Sequence, residues 1–315
     1  MGKIAFLFPG QGSQTVGMGK SLADNNESVR SFFQKADDKL GVSLSNIIFD
    51  GPQEELTLTT NAQPALLTTS IAIYHYFKQS GIRADFVAGH SLGEYTALVA
   101  AEAISFEDGV YAVRKRGEFM EEAVPNREGT MAAVLGLGRE ELEKVTEAIT
   151  EEGYPVQLAN INCPGQIVIS GTSKGVEMAS VKAKEAGAKR ALPLDVSGPF
   201  HSSLMKPASD KLQSVLNEIE IKTAAVPVIA NVSASEMREP REIKEKLIEQ
   251  LYSPVQWEDS VKKMISLGVD TFIEIGPGKV LSGLVKKIDR TVKTYAISDE
   301  ESFQSVLEAL KEEVQ

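Results

Sequence analysis

Short apolar runs alternate with longer amphipathic segments along most of this chain. The runs Lys3–Phe8 and Phe86–Ala88 have the length and composition of buried strands. The segment Asn61–Ser80 between them predicts a helix, with Asn61 as its N-cap and Gly81 as its C-terminal stop. Strands that alternate with helices indicate an α/β core built on a parallel sheet.

A different order of elements, βαββαβ, is predicted between residues 127 and 197. Its strands are expected at 131–137, 156–161, 167–170 and 190–196, and its helices at 140–152 and 173–186. This order is typical of a ferredoxin-like unit. Beyond it the α/β pattern returns, with strands at 226–230 and 271–275 and helices at 241–252 and from 280 onward. The pattern therefore predicts a large domain (1–126 and 198–315), an inserted ferredoxin-like small domain (127–197), and a substrate cleft between them.

The motif Gly89-His90-Ser91-Leu92-Gly93 lies between the second predicted strand and a helix. In that context Gly-x-Ser-x-Gly indicates a nucleophile elbow, and the large domain is accordingly predicted to be α/β-hydrolase-like. The two glycines permit the tight turn, and backbone N–H groups at the helix start can stabilise an oxyanion. Acyl transfer through an acyl-serine on Ser91 is the chemistry that this arrangement favours.

A serine nucleophile needs a base, and the chain has three histidines. His75 is expected on the outer face of its helix, and His90 is expected to point away from Ser91, under the sheet, with its ring hydrogen-bonded. His201 remains, in a Gly/Pro-rich loop where the chain returns from the small domain. Asp195 is the nearby acid but lies on a small-domain strand, and a carbonyl group could orient the histidine equally well.

Composition excludes several classes of protein and of site. The net charge of −11 argues against a general nucleic-acid binder. The single cysteine, Cys163, excludes an intramolecular disulfide and a cysteine-based zinc site. No apolar run approaches the length of a membrane span, and the N-terminal run is too short for a signal peptide, so we expect a cytoplasmic protein without membrane contact.

Several motifs, in order along the whole chain, together carry a family resemblance. They are Phe8-Pro9-Gly10-Gln11-Gly12-Ser13-Gln14, the elbow with Glu94-Tyr95, Arg116-Gly117, Asn160-Ile161-Asn162-Cys163-Pro164-Gly165-Gln166, Ile169-Ser170-Gly171, Gly198-Pro199-Phe200-His201-Ser202 and Glu274-Ile275-Gly276-Pro277-Gly278. The chain resembles the malonyl-CoA:acyl carrier protein transacylases, which load malonyl units for fatty acid synthesis. The resemblance covers the full length, and no catalytic position departs from the pattern.

The resemblance implies a role for each catalytic position. Ser91 would attack the thioester of malonyl-CoA, and His201 would take its proton and return it to the leaving thiol. The main-chain carbonyl of Gln250 would orient His201 in place of a carboxylate. The backbone N–H groups of Gln11 and Leu92 would form the oxyanion hole.

The resemblance also implies substrate contacts. By itself the run Arg114-Lys115-Arg116 is typical of a solvated helix face, but the family match assigns Arg116 to the malonyl carboxylate, which an arginine fork binds through two hydrogen bonds. Asn162 and Gln166 would line the pocket. Phe200 would fill the space that a methyl branch on the malonyl carbon requires.

The implied partners are malonyl-CoA and an acyl carrier protein whose phosphopantetheine thiol accepts the acyl group. No metal and no prosthetic group on this chain is needed. The family's carrier protein is strongly acidic, so an acidic chain must present a local basic surface to it. Candidate clusters are Lys182, Lys184, Lys189 and Arg190 on the small domain and Lys286, Lys287 and Arg290 on the large one. The family is usually monomeric.

Three other functions remain open on the sequence. A serine hydrolase shares the elbow but has no use for a buried arginine, and its histidine usually lies near the C-terminus. A non-enzymatic carrier-binding protein would usually have lost one of Ser91, His201 and Arg116. A related acyltransferase that acts in trans in polyketide synthesis would share fold and mechanism, and the sequence separates it poorly.

Overall fold

The computed structural model describes residues 2–124 and 128–312. Its strands are β1 (Lys3–Phe8), β2 (Phe86–Gly89), β3 (Gly129–Leu135), β4 (Val156–Cys163), β5 (Gln166–Thr172), β6 (Arg190–Pro193), β7 (Val228–Ile229), β8 (Glu236–Met237), β9 (Val269–Ile275) and β10 (Lys293–Ile297). Its first seven helices are α1 (Lys20–Asn25), α2 (Glu27–Leu40), α3 (Leu44–Asp50), α4 (Gln53–Thr57), α5 (Thr59–Phe77), α6 (Leu92–Ala100) and α7 (Phe106–Ala123). The later helices are α8 (Arg139–Glu151), α9 (Ser173–Glu185), α10 (Lys206–Glu218), α11 (Pro240–Gln250), α12 (Trp257–Ser266), α13 (Val280–Ile288) and α14 (Glu300–Glu312).

A six-stranded sheet in the order β10-β9-β1-β2-β7-β8 organises the larger part of the molecule. Strands β10, β9, β1, β2 and β7 run parallel, and only β8 is antiparallel to its neighbour. Phe8 at the end of β1 pairs with Gly89 at the end of β2. The segments that follow β1, β2 and β7 therefore meet at one edge, where ligands bind in open parallel sheets.

Both faces of this sheet are buried, which explains the uninterrupted apolar run of β1. Phe6 and Phe8 point into a core shared with α5, α6 and α7, whereas Ala5 and Leu7 point into a second core with α12 and α13. This alternation follows from the two-residue period of a strand. Trp257, fully buried, lies in the second core.

A four-stranded antiparallel sheet in the order β4-β5-β3-β6 forms the second part. Its elements follow one another as β3-α8-β4-β5-α9-β6. One face packs on α8 and α9, while Met131 and Val168 on the other face join the core of the larger part. The Ile161 N–H donates to the Val255 carbonyl at 2.9 Å, so main-chain pairing also joins the two parts.

The structure corrects several expected element bounds. Helix α5 begins at Thr59 with Leu58 at the N-cap, so the prediction of Asn61 as the cap was wrong; the Asn61 side chain instead donates to the Glu55 carbonyl at 2.9 Å. Helix α5 continues into a 3₁₀ turn at Lys78–Ser80, and the predicted stop at Gly81 is confirmed, with a left-handed φ of 77°. Strand β6 ends at Pro193, three residues earlier than predicted, and β7 has only two residues.

Other elements were not predicted at all, namely α1 to α4, α10, α12, α14, β8 and β10. The predicted border between residues 126 and 127 lies outside the described residues. Within the two described ranges, no helix combines the length and apolar character needed to cross a membrane.

The buried second core predicts a strong difference between two leucine truncations. Leu7→Ala is expected to lower the free energy of unfolding by about 2–5 kcal/mol, because it opens a cavity beside the central strand. Leu192→Ala on β6 is the matched control, since Leu192 is 44% exposed, and its cost should stay within about 0.5 kcal/mol. Urea denaturation followed by the fluorescence of Trp257, the single tryptophan, measures both; equal losses would contradict this view of the core.

Candidate active site

Ser91 occupies the turn between β2 and α6, with a positive φ of 52°. A Cβ atom on Gly89 would run into the Gly93 carbonyl, and one on Gly93 would run into the Phe8 carbonyl. The expectation that both flanking glycines are needed for a tight turn is confirmed. Asn231, which follows β7, braces the turn: its Oδ1 accepts from the Ser91 N–H and its Nδ2 donates to the Gly89 carbonyl, both at 2.7 Å.

His201 lies next to the nucleophile. Its Nε2 is 2.7 Å from Ser91 Oγ, and its Nδ1 is 2.8 Å from the Gln250 carbonyl oxygen. A carbonyl only accepts hydrogen bonds, so Nδ1 carries the proton and Nε2 is free to accept the Ser91 hydroxyl hydrogen. Burial, helped by the nearby Arg116 cation, lowers the pKa of His201 to about 3, so the ring is neutral near pH 7 and can act as a base.

Arg116 on α7 brings a buried cation into contact with the same serine. Its side chain donates to Gln63 Oε1 at 2.8 Å, to Gln250 Oε1 at 2.9 Å and to Ser91 Oγ at 3.1 Å. Its Nε–H has no acceptor, and no carboxylate in the described ranges lies within ion-pair distance of it. The neighbours Arg114 and Lys115 instead pair with Glu118 near the surface. Since a buried, unpaired charge is costly, the guanidinium is suited to an anionic ligand beside the nucleophile.

Two backbone N–H groups are available near Ser91. Gln11 follows β1 and Leu92 is the first residue of α6. Within the described chain, neither N–H group has an intramolecular acceptor, whereas the Gln11 side chain donates to Thr59 Oγ1 at 3.2 Å. Free backbone donors beside a reactive serine, such as the Leu92 N–H at a helix start, are the usual components of an oxyanion hole.

These groups open into a cleft of about 290 Å³ that both parts of the molecule border. The larger part contributes Ser91, Arg116, Phe200, His201 and Gln11 to its lining. The antiparallel part contributes Met131, Asn160, Leu194, Asp195 and Val196. The Gln250 carbonyl, and not the Asp195 carboxylate, is the hydrogen-bond partner of His201 Nδ1.

The structure places the two remaining predicted substrate contacts differently from the others. Asn162 Oδ1 is 2.8 Å from the ring Nε2 of His90. His90 lines the cleft, so Asn162 lies behind a residue that borders it. Gln166 lies at the start of β5, where its Oε1 accepts from Lys287 Nζ at 3.0 Å. Neither residue is among those that border the cleft in the described chain, and their role as substrate contacts stays a prediction.

The other two histidines do not contact Ser91 Oγ. His90 has the expected hydrogen bond on its ring; it borders the cleft, and its ring lies 5.6 Å from that of Trp257 in the second core of the sheet. His75 is partly buried against Phe32, with 5.0 Å between ring centroids. His201 is therefore the histidine that reaches the nucleophile.

Three residues of the site were missed in the sequence: Gln63, Asn231 and Glu94. Glu94 directly follows the elbow motif, and a charged residue in an otherwise apolar helix was a signal that could have pointed to it. Gln63 and Asn231 carry no local signal, since each acts on a residue more than 50 positions away.

The known proteins similar to this chain belong to one family. The acyl transferase domain family matches residues 5–312. The malonyl CoA-acyl carrier protein transacylase of Bacillus subtilis (strain 168) is 66% identical over 313 residues, 99% of each chain. A crystal structure of an acyl carrier protein S-malonyltransferase from Vibrio cholerae O1 biovar eltor str. N16961 is 46% identical, covers 96% of this chain and 99% of its own, and superposes with a TM-score of 0.94.

A second solved structure contains a type II PKS acyl-carrier protein in complex with its malonyl-transacylase. The matching chain of that structure is 43% identical to this one, the alignment covers 98% of this chain and 99% of that chain, and the TM-score is 0.95. The resemblance inferred from the motifs is thus confirmed over the whole length. The chain belongs to the acyl transferase family and, within it, to the malonyl CoA-acyl carrier protein transacylases.

Proposed function

We propose that this chain transfers the malonyl group of malonyl-CoA to the phosphopantetheine thiol of an acyl carrier protein, through a malonyl ester on Ser91. The observation that carries the proposal is the buried Arg116 guanidinium, which contacts Ser91 Oγ and has no carboxylate partner in the described chain. A malonyl group on Ser91 would bring its own carboxylate next to the Arg116 guanidinium. The names of the relatives support the same reaction.

In the first half-reaction, His201 Nε2 takes the hydroxyl proton while Ser91 Oγ bonds to the thioester carbon. The oxyanion of the tetrahedral intermediate receives hydrogen bonds from the N–H groups of Gln11 and Leu92. The C–S bond then breaks, and the coenzyme A sulfur takes the proton from His201. The Gln250 carbonyl stabilises the transient imidazolium through Nδ1–H.

The second half-reaction runs the same steps backwards. The phosphopantetheine thiol gives its proton to His201 and attacks the ester carbon, and Ser91 leaves with the proton. Each half needs only the side chains already in contact and one thiol or thioester, so we propose that this chain works without a metal or prosthetic group. Cytoplasmic location and a monomeric state stay predictions.

Phe200 lies beside His201 in the cleft and is 6% exposed. Its buried ring supports the proposal that it excludes a methyl branch on the malonyl carbon.

Hydrolysis is less well supported as the function, because attack by water does not require a cation that binds the acyl group. The carrier protein of polyketide synthesis remains a second candidate partner, since a relative in complex with such a carrier shares this fold.

The domain description belongs to the same proposal. Residues 127–197 would form a ferredoxin-like insertion, supported by the strand order β4-β5-β3-β6 and the two helices on one face of that sheet. Residues 1–126 and 198–315 would form the α/β-hydrolase-like domain, supported by the parallel strands and the elbow after β2.

For the carrier protein we propose a docking surface made of Lys189, Arg190, Lys286, Lys287 and Arg290. Lys189 and Arg190 belong to one predicted basic cluster and Lys286, Lys287 and Arg290 to the other. Residues of both clusters contact the region of the turn between β4 and β5. The stem of Lys189 packs on Gly136, whose N–H donates to the Gly165 carbonyl in this turn at 2.8 Å, and Lys287 donates to Gln166, the residue that directly follows the turn. The two predicted basic clusters are therefore neighbours. Lys182, by contrast, pairs with Glu185 on the outer helix.

The covalent intermediate gives the first test. After mixing with malonyl-CoA alone, intact-protein mass spectrometry of the wild type is expected to detect a malonyl adduct that acyl carrier protein discharges. Ser91→Ala, which lacks the nucleophilic oxygen, should remain unmodified. Free malonate that accumulates as fast as coenzyme A would instead indicate a hydrolase.

The role of Arg116 predicts a change in acyl selectivity. Arg116→Ala should reduce the preference for malonyl-CoA over acetyl-CoA by roughly a hundredfold, because only the malonyl carboxylate gains the buried partner. The measurement is the ratio of kcat/KM for the two donors. Arg114→Ala is the control on the same helix and should leave the ratio unchanged; a wild-type ratio in Arg116→Ala would remove this residue from substrate recognition.

The proposed docking surface predicts that charge reversal there impairs only the half-reaction with acyl carrier protein. The double variant Lys189→Glu/Arg190→Glu should raise the KM for acyl carrier protein about tenfold at low salt, because two attractive charges become repulsive. Malonyl loading of Ser91 should be unaffected. Lys174→Glu/Lys222→Glu, at exposed positions elsewhere, is the matched control, and an equal effect of both double variants would contradict a local surface.

A further inference from the structure

Glu94 is a fully buried carboxyl group that no step of the proposed mechanism uses. It lies in the first turn of α6, three residues after the nucleophile. Its Oε2 accepts from Gln250 Nε2 at 2.5 Å and from the Asn231 N–H at 3.3 Å, while its Oε1 has no hydrogen-bond partner in the described chain. One oxygen atom thus holds two residues from different elements.

Both partners of Glu94 act directly on the reacting groups. Gln250 supplies the carbonyl that orients His201, and its side-chain oxygen accepts from Arg116. Asn231 accepts from the Ser91 N–H and donates to the Gly89 carbonyl. The base, the arginine and the elbow are therefore each two hydrogen-bonded residues away from one carboxylate oxygen.

We infer that Glu94 is a positioning residue, whose Oε2 sets the places of Gln250 and Asn231 and through them aligns His201, Arg116 and Ser91. This inference deepens the proposed function and rests on it for the role of Arg116. The nucleophile–base part stands on geometry alone, since it concerns any acylation of Ser91.

Burial makes the charged form of Glu94 costly. Burial raises the pKa of Glu94 to about 7, against hydrogen bonds from Gln250 and Asn231 and the charge of Arg116 that lower it. An amide could replace the carboxyl as an acceptor without this desolvation penalty. Gln250 and Asn231 require an acceptor oxygen at the distance that a glutamate side chain spans, and they do not require its charge. The length of the side chain and its charge can therefore be tested separately.

Two substitutions test reach against charge. Glu94→Gln keeps the length and an acceptor oxygen but removes the charge, whereas Glu94→Asp keeps the charge and withdraws the oxygen by one methylene. Glu274 on β9 provides the control pair Glu274→Gln and Glu274→Asp. It is equally buried, and it accepts from the backbone N–H groups of Leu281 and Ser282, away from the cleft.

The first readout is the acetylation rate of Ser91 by p-nitrophenyl acetate, expressed per titrated active site so that misfolded protein does not count. Glu94→Asp should lower this rate roughly a hundredfold, because a displacement of about 1 Å at the base has that effect. Glu94→Gln should stay within about fivefold of the wild type, since both hydrogen bonds persist. Both Glu274 variants should match the wild type.

The second readout is the malonyl-CoA to acetyl-CoA ratio of kcat/KM, which is independent of the folded fraction. It should fall at least about tenfold in Glu94→Asp, as Arg116 loses its fixed acceptor, and persist in Glu94→Gln.

Wild-type behaviour of Glu94→Asp, a loss in Glu94→Gln as large as in Glu94→Asp, or equal losses in the Glu274 pair would each overturn the inference. If wild-type Ser91 formed no malonyl adduct, the proposed function would fail instead, and the p-nitrophenyl acetate rates would still decide the role of Glu94.

Discussion

The side chain and carbonyl of Gln250 connect every reacting group of this molecule. The carbonyl orients His201, the side-chain oxygen accepts from Arg116, and the side-chain nitrogen donates to the Ser91 carbonyl and to Glu94. Gln250 is fully buried. Hydrogen bonds in such surroundings are stronger than in water, and breaking one of those made by Gln250 would leave a buried polar group unpaired at a high cost in free energy.

The backbone around this network is held in unusual conformations. Ser91 and His201 both have positive φ angles, 52° and 57°, although neither is glycine. Such conformations cost about 1–3 kcal/mol each and persist where the surroundings impose them. Here the end of β2, the start of α6 and the bracing amide of Asn231 impose the conformation of Ser91, which leaves its Oγ between the base and the arginine.

The position of Arg116 would allow one site to serve both proposed half-reactions. Before acylation, neutral oxygens of Gln63, Gln250 and Ser91 occupy the guanidinium. In the proposed malonyl-enzyme the acyl carboxylate takes part of that place, and the charge of Arg116 is compensated while the thiol donor is exchanged for the thiol acceptor. In this proposal the binding energy of the carboxylate would retain the acyl group as well as select it.

The sequence by itself determined the local features. The apolar run of β1, the elbow around Ser91, the stop at Gly81 and the order β3-α8-β4-β5-α9-β6 depend on neighbours in the chain, and all could be predicted. His201 followed from elimination, since only three histidines exist. Family resemblance added Gln250 and Arg116, which no local pattern distinguishes from ordinary helix residues.

The tertiary structure decided which distant residues meet. The contacts of Ser91 with Asn231 and of Arg116 with Gln63 and Gln250 join segments 53 to 140 positions apart. The start of α5 at Thr59 and the short β7 likewise depend on the surrounding packing, which overrides weak local preferences. Hydrophobic periodicity places a residue on a face of its own element, whereas a buried polar network forms only when several elements have closed around it.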